Sequence, residues 1–163
     1  MAPEPELLPT FEHGPFILAA SLCERVLEEK DGVKSAIRMI DQLNRAYFGP
    51  TPPAQMEAFQ QQLALLIRLK AGAARGNYQV SVRVRKPSNA ESATEPLIIQ
   101  PVHFPGPDDA GIDIVANLIL GIDEAGPWWF DVYLNETRAV CIPMRIVYFP
   151  QPTRQSGLPP GIG

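Results

Sequence analysis

The sequence of 163 residues has few of the residue types on which catalytic and metal sites most often depend. It contains two histidines and two cysteines, and neither His13 nor His103 has a second histidine or a cysteine at ligand spacing. Cys23 and Cys141 are too few and too far apart in sequence for a disulfide framework or a metal pair. The sequence therefore predicts a protein that is not an enzyme and has no catalytic residues, metal site or cofactor, with both cysteines as buried thiols.

Long apolar runs and a strong charge of one sign are also missing. No apolar stretch approaches the roughly 18 residues of a membrane-spanning helix, and residues 1–10 lack the basic start and apolar run of a signal peptide. The formal net charge is −4 with 20% charged residues, which argues against a dedicated nucleic-acid surface or an anionic-membrane binder. We expect a cytoplasmic protein with a protein partner and no membrane contact.

Proline, in contrast, is abundant. Many of the 18 prolines fall where tails and loops are expected, and such spacing is typical of a chain of many short strands. The length suits one domain with a real core. We expect a flexible Pro-rich tail over 1–12, a single domain over 13–150 and a flexible Pro/Gly-rich tail over 151–163.

The clearest strand pattern lies at 111–149, a stretch that holds both tryptophans and predicts three consecutive strands. Slipping the last two by one residue would turn every side chain over, so the apolar pattern fixes their register. A three-residue loop at 135–137 brings both apolar sides to one face, although Thr137 is a poor occupant of the left-handed position that such loops contain. The predicted pairs are Trp128 with Met144, Phe130 with Ile142 and Val132 with Val140.

The same register places Trp129 opposite Pro143 on the other face, with Arg145 one diagonal step away and within reach of a cation–π contact. Tyr133 lies farther along this face. Because Trp, Tyr and Arg most often anchor interfaces, Trp129, Tyr133 and Arg145 form the candidate interaction face. The structural alternative is that a second sheet, a crossing loop or a tail covers both rings. Pro143 lacks a backbone donor and favours an edge strand or a bulge.

Two further strands are expected at 63–70 and 77–85, joined as a hairpin. Their outer face would hold Arg68, Lys70, Arg83 and Arg85, a candidate patch for an anionic ligand or a phosphate backbone. The alternative is a solvated face whose charges guard against edge pairing. No aromatic residue is interleaved with these basic residues along the two strands, which weakens a nucleic-acid role.

Two segments allow more than one interpretation. Residues 16–47 fit a strand pattern and a helical pattern, and the Asp31-Gly32 pair suits a hairpin turn or a helix C-cap. Residues 54–62 have the composition of a short helix, with Pro53 at its first turn.

The stretches 117–120, 124–132 and 142–147, following an apolar hairpin and a strand pair, resemble a family of small bacterial proteins catalogued as a domain of unknown function. Its members show a Gly-aromatic-x-aromatic strand, a short hairpin and an Ile-Pro-Leu-x-Val-like strand; Met144 replaces the leucine here. The resemblance implies a β-sandwich, which favours strands for residues 16–43, and it implies no catalytic residues.

These observations predict an all-β, antiparallel β-sandwich of about eight strands with Pro-rich tails and room for one short helix near 54–62. Fold class alone does not determine function. We expect a non-enzymatic binding or accessory module that contacts a protein partner through a sheet face or edge. The alternative is a carbohydrate or small-ligand binding sandwich with Trp129 and Tyr133 as a stacking platform. The sequence leaves the oligomeric state open.

Overall fold

The computed structural model describes residues 13–89, 95–106 and 110–152, which form nine strands and one turn of 3₁₀ helix at Pro87–Asn89. Two sheets pack face to face, which confirms the all-β sandwich. Apart from residues 151 and 152, the predicted tails lie outside the described residues. In chain order the strands are β1 (Phe16–Glu28), β2 (Lys34–Met39), β3 (Gln42–Tyr47), β4 (Phe59–Lys70), β5 (Gly76–Arg85), β6 (Ile98–Phe104), β7 (Gly111–Ile122), β8 (Gly126–Leu134) and β9 (Thr137–Pro150).

The first sheet has the order β2-β1-β4-β7 and the second the order β3-β9-β8-β5-β6. All neighbouring strands are antiparallel except β3 and β9, which are parallel. The parallel pair and the ninth strand are details that the sequence pattern did not predict. The chain changes sheet after β2, β3, β4, β6 and β7, so many strands that are adjacent in sequence are not adjacent in a sheet.

The core lies between the sheets and is built by alternation along the strands. Leu65 and Ile67 of β4 face Phe130 and Val132 of the other sheet across this layer, and all four are fully buried. Burying one such side chain contributes about 1.5–3 kcal/mol relative to leaving it exposed. Trp128 is also buried, and its Nε1 donates to the carbonyl oxygen of Glu124 at 3.1 Å, so its one polar group is satisfied.

The predicted hairpin of 63–70 with 77–85 is wrong, although both strands exist. β4 lies between β1 and β7, whereas β5 lies between β6 and β8 in the other sheet. The connection crosses the end of the core, where Ala71 and Ala74 are buried and the Ala71 N–H donates to Ala110 O. The apolar sides of the two strands therefore face each other across the core instead of lying side by side.

Residues 16–47 form strands, which settles the alternative that periodicity left open. A bulge between Ile17 and Ala19 changes which residues face inward, so that Ile17 packs against the core and Leu18 is exposed. A single alternation of inward and outward side chains therefore does not run through the whole of β1.

The short helix expected at 54–62 is wrong. Residues 54–58 have no regular structure, and β4 begins at Phe59. Gln60 and Gln62 pair with Gly121 and Ile119 of β7, and this pairing keeps the segment extended. Tertiary strand pairing therefore overrides the local helix preference.

The β8–β9 hairpin has the three predicted pairs, Trp128 with Met144, Phe130 with Ile142 and Val132 with Val140. Its loop is shorter than predicted, because Leu134 pairs with Thr137 and a bulge after Val132 supplies the extra residue. The left-handed residue is Asn135, with φ of 53°, a conformation that asparagine tolerates better than most residues. Its N–H donates to Gln79 O and its Oδ1 accepts from Gln79 N, which ties the loop to β5.

Pro143 was expected at a sheet edge or a bulge, yet β9 lies inside the second sheet. The neighbouring strand β3 begins at Gln42, which pairs with Arg145. Pro143 therefore stands just beyond the start of β3, where a missing backbone donor breaks no ladder with that strand.

Candidate functional site

The candidate site is the outer face of the second sheet, where aromatic and arginine side chains alternate with the core residues of β5, β8 and β9. We call it the arginine–aromatic face. Its members are Arg83, Arg85, Trp129, Asp131, Tyr133, Arg138, Cys141, Pro143 and Arg145.

An ion pair between Arg85 and Asp131 lies at the centre of this face. Arg85 Nε donates to Asp131 Oδ2 at 2.5 Å and Arg85 Nη2 donates to Oδ1 at 3.0 Å, a bidentate geometry that also fixes the guanidinium plane. Asp131 is fully buried, and the Arg85 side chain is 17% exposed. Burial alone would raise the pKa of Asp131, but the hydrogen bonds and charge of Arg85 outweigh it and hold the pKa below its usual range.

Both rings of the face lie beneath guanidinium groups. The Arg83 guanidinium is 5.0 Å from the Tyr133 ring centroid, and that of Arg85 is 5.7 Å from the Trp129 centroid, distances at which cation–π attraction acts. Both rings are half-buried, and neither faces the opposite sheet. In the described part of the chain, the cation over Trp129 is therefore Arg85 and not the predicted Arg145. The β5–β8 pairing brings Arg85 there.

The face is positively charged in a protein of net charge −4. It carries four arginines and one aspartate, and that aspartate is engaged by Arg85. Among residues 13–89, 95–106 and 110–152, no carboxylate forms an ion pair with Arg83 or Arg145. The Nε of Arg83 is buried without a hydrogen-bond partner in the same residues. The aromatic residues of β8 thus lie between the arginines of β5 and β9. The sequence pattern of β4 and β5 alone had shown no aromatic residue among the basic ones.

The Cys141 thiol lies beside the ion pair. It is half-buried, and Arg85 Nη2 lies 3.5 Å from its sulfur. Burial and the hydrogen bond to Asp131 raise the pKa of Cys141 to about 11. The other thiol, Cys23, is fully buried, which also raises its pKa, and it donates to Ala64 O. Burial was predicted for both cysteines; it is complete for Cys23 and partial for Cys141.

We expect Cys141 to react slowly with iodoacetamide in the folded protein at pH 8. A pKa near 11 leaves roughly a hundredfold less thiolate than an unperturbed cysteine has. The labelling rate should rise as the pH approaches 11. Because the folded protein favours the protonated thiol, the contribution of Cys141 to stability is lost as the pH rises through its raised pKa. Labelling followed by mass spectrometry in a Cys23→Ser variant, with and without urea, measures this. Equal rates with and without urea would contradict the burial described.

The predicted anion patch does not lie on one face. Arg68 and Lys70 are on the outer face of the first sheet, opposite the side that carries Arg83 and Arg85. Arg68 donates to both oxygens of Asp113, at 2.7 and 2.8 Å, and these bonds lower the pKa of that carboxyl group. Arg68 and Arg85 are therefore held by carboxylates, and anion binding by either half of the patch stays a prediction.

Within the described residues, no three His, Cys, Asp or Glu side chains converge as metal ligands would. His103 Nδ1 lies 2.7 Å from Asn77 Oδ1 on an exposed strand position. No helix in the described ranges has the length and apolar character needed to cross a bilayer.

Sequence comparison adds no assignment to this geometry. No model of a known protein family matches the chain, and no curated protein shows significant similarity to it. The resemblance to small bacterial proteins of unknown function stays a prediction.

Proposed function

We propose that this chain is a non-enzymatic binding or accessory module that contacts a protein partner through the arginine–aromatic face. The observation that carries the proposal is the placement of Trp129 and Tyr133 on an outer sheet face, each beneath a guanidinium group. Residues of these three types dominate the binding energy of protein interfaces. Because the strands and the Arg85–Asp131 pair already fix their positions, a partner would meet side chains that lose little conformational freedom on binding.

The positions of the guanidinium groups favour a protein partner over a carbohydrate. A sugar ring stacks on an open aromatic face, whereas Arg83 and Arg85 lie over the Tyr133 and Trp129 rings. A sugar would have to displace both arginines, and Arg85 is held by two hydrogen bonds to a buried carboxylate. A protein can instead use the exposed edges of the rings and the arginine donors together.

The charge of the face indicates what the partner surface contains. Arg83 and Arg145 have no carboxylate partner among the described residues, and each can bind a carboxylate with charge-assisted hydrogen bonds. A partner surface rich in Asp and Glu would satisfy both. Such complementarity acts mainly on the rate of association and on partner choice, and it weakens as ionic strength rises.

A site-specific photo-crosslinker tests the proposal. Placed at Pro143, which is exposed on the arginine–aromatic face, it should link discrete proteins from a native lysate, and linking should fall as salt is raised. The matched control places the same group at Leu18, which is 57% exposed beside Arg68 and Asp113 on the first sheet.

Charge variants then identify the face. Arg145→Glu should abolish the Pro143 crosslinks, whereas Arg25→Glu, exposed on the first sheet, should leave them unchanged. Circular dichroism checks that both variants are folded. Identical crosslinked products from Pro143 and Leu18, or none from Pro143, would exclude this face as the binding surface.

A further inference from the structure

The sandwich has four edge strands, and three of them carry features that block pairing with another chain. β2 and β3 have six residues each, and β6 has seven. β2 carries Lys34 and a left-handed residue, Arg38 with φ of 50°, while β3 carries Arg45 and β6 contains Pro101. Short length, charge and proline are the usual protection of an exposed sheet edge.

The fourth edge strand, β7, is longer, and its one charged residue is Asp113, which pairs with Arg68 near the start of the strand. It is twelve residues long and pairs with β4 along its whole length without a bulge. Residues 114–122 contain neither a charged residue nor a proline. In the part of the chain that the structure describes, no hydrogen bond reaches the backbone of β7 from the side away from β4.

The side chains of β7 on the outer face of the sheet are apolar on both sides of Asn117. Val115 is 40% exposed and Ile119 is 62% exposed. An added strand can pair with such an edge, because its backbone hydrogen bonds supply affinity and its contacts with the exposed apolar side chains supply the register.

We propose that β7 pairs antiparallel with β7 of a second copy of this chain, across a two-fold axis at Asn117, and joins two four-stranded sheets into one. In this register Val115 lies opposite Ile119 of the second copy, so apolar side chains meet on the outer face. Ala116 and Ile114 lie opposite Leu118 and Leu120, so core positions stay on the core side. The contact uses the same surface on both molecules and closes as a dimer.

Charge favours a second copy as the occupant. A charged side chain near a two-fold axis approaches the same side chain of the second copy, and the two repel. Self-pairing therefore needs an edge strand without charged residues near the axis. Residues 114–122 meet this condition, and Asp113 lies opposite Gly121 of the second copy instead of another carboxylate. The dimer leaves the arginine–aromatic face free, because that face belongs to the other sheet.

Sedimentation velocity of the full chain over a range of concentrations tests the pairing. The wild type should sediment as a dimer, and Asn117→Lys should raise the dissociation constant at least tenfold, because it places two ammonium groups opposite each other at the axis. The matched control is Ile99→Lys on edge strand β6, a 55% exposed position, which should stay dimeric. Circular dichroism verifies that each variant is folded.

Disulfide trapping then tests the register in a Cys141→Ser background. Asn117→Cys should form a covalent dimer on oxidation, and Val115→Cys should do so only when combined with Ile119→Cys. A monomer at every concentration, a dimer that survives Asn117→Lys, or efficient trapping through Val115→Cys alone would each overturn the proposal.

Discussion

Asp131→Asn is expected to lower the free energy of unfolding by about 3–5 kcal/mol, because removing one partner of a buried ion pair leaves the other charge uncompensated. Arg85 is 17% exposed and has its two bidentate bonds to this carboxylate, so water cannot fully replace the lost partner. Urea unfolding followed by circular dichroism measures the change. The comparison is Asp123→Asn, which breaks the solvent-exposed pair with Lys86 and should cost less than about 1 kcal/mol.

The same variant has an expected pH dependence. The pKa of Asp131 is lowered in the folded protein, so its contribution is complete above the ordinary aspartate pKa and is lost as pH falls through the folded value. The stability difference between wild type and Asp131→Asn should therefore be constant near neutral pH and shrink below about pH 4. A difference that grows in acid would contradict the lowered pKa.

Phe130→Ala should cost about 3–5 kcal/mol, whereas Trp129→Ala, one residue away, should cost about 1–2 kcal/mol. Phe130 is fully buried between the sheets and its removal leaves a cavity. Trp129 is half-buried on the outer face, where it loses the contact with Arg85 but opens no internal space. Thermal and urea unfolding of both variants measure the contrast. Equal costs would mean that the outer ring is part of the core, and the proposed binding face would then lose its support.

The register of β8 and β9 could be predicted from the sequence because a strand has a period of two. The placement of Phe130 fixes every pair beyond the bulge, and it also puts Trp129 and Tyr133 on the opposite face. A three-residue loop was predicted in place of the two-residue loop because the bulge next to Val132 adds one residue to the hairpin. The bulge leaves the pairs from Val132 back to Trp128 unchanged.

The pairing of β4 and β5 could not be predicted in the same way. Alternation tells which side of a strand is apolar. It does not tell whether two such strands are neighbours in one sheet or lie in different sheets and face each other across the core. The Arg85–Asp131 pair depends on this non-local choice, since it requires β5 beside β8. A signal was present in Asp131 itself, because an acidic residue inside an aromatic strand needs a charged partner when it is buried.

The position of β9 within the second sheet has a consequence for synthesis on the ribosome. β3 emerges early, but its neighbour in the sheet is the last strand, with Gln42 beside Arg145. β8 likewise lacks one of its neighbours until β9 is made. The first sheet can assemble once β7 has emerged, whereas the second waits for nearly the whole described chain. Nascent chains should therefore carry exposed strand edges and apolar surface until late in translation, which makes them substrates for chaperones that hold unfolded segments.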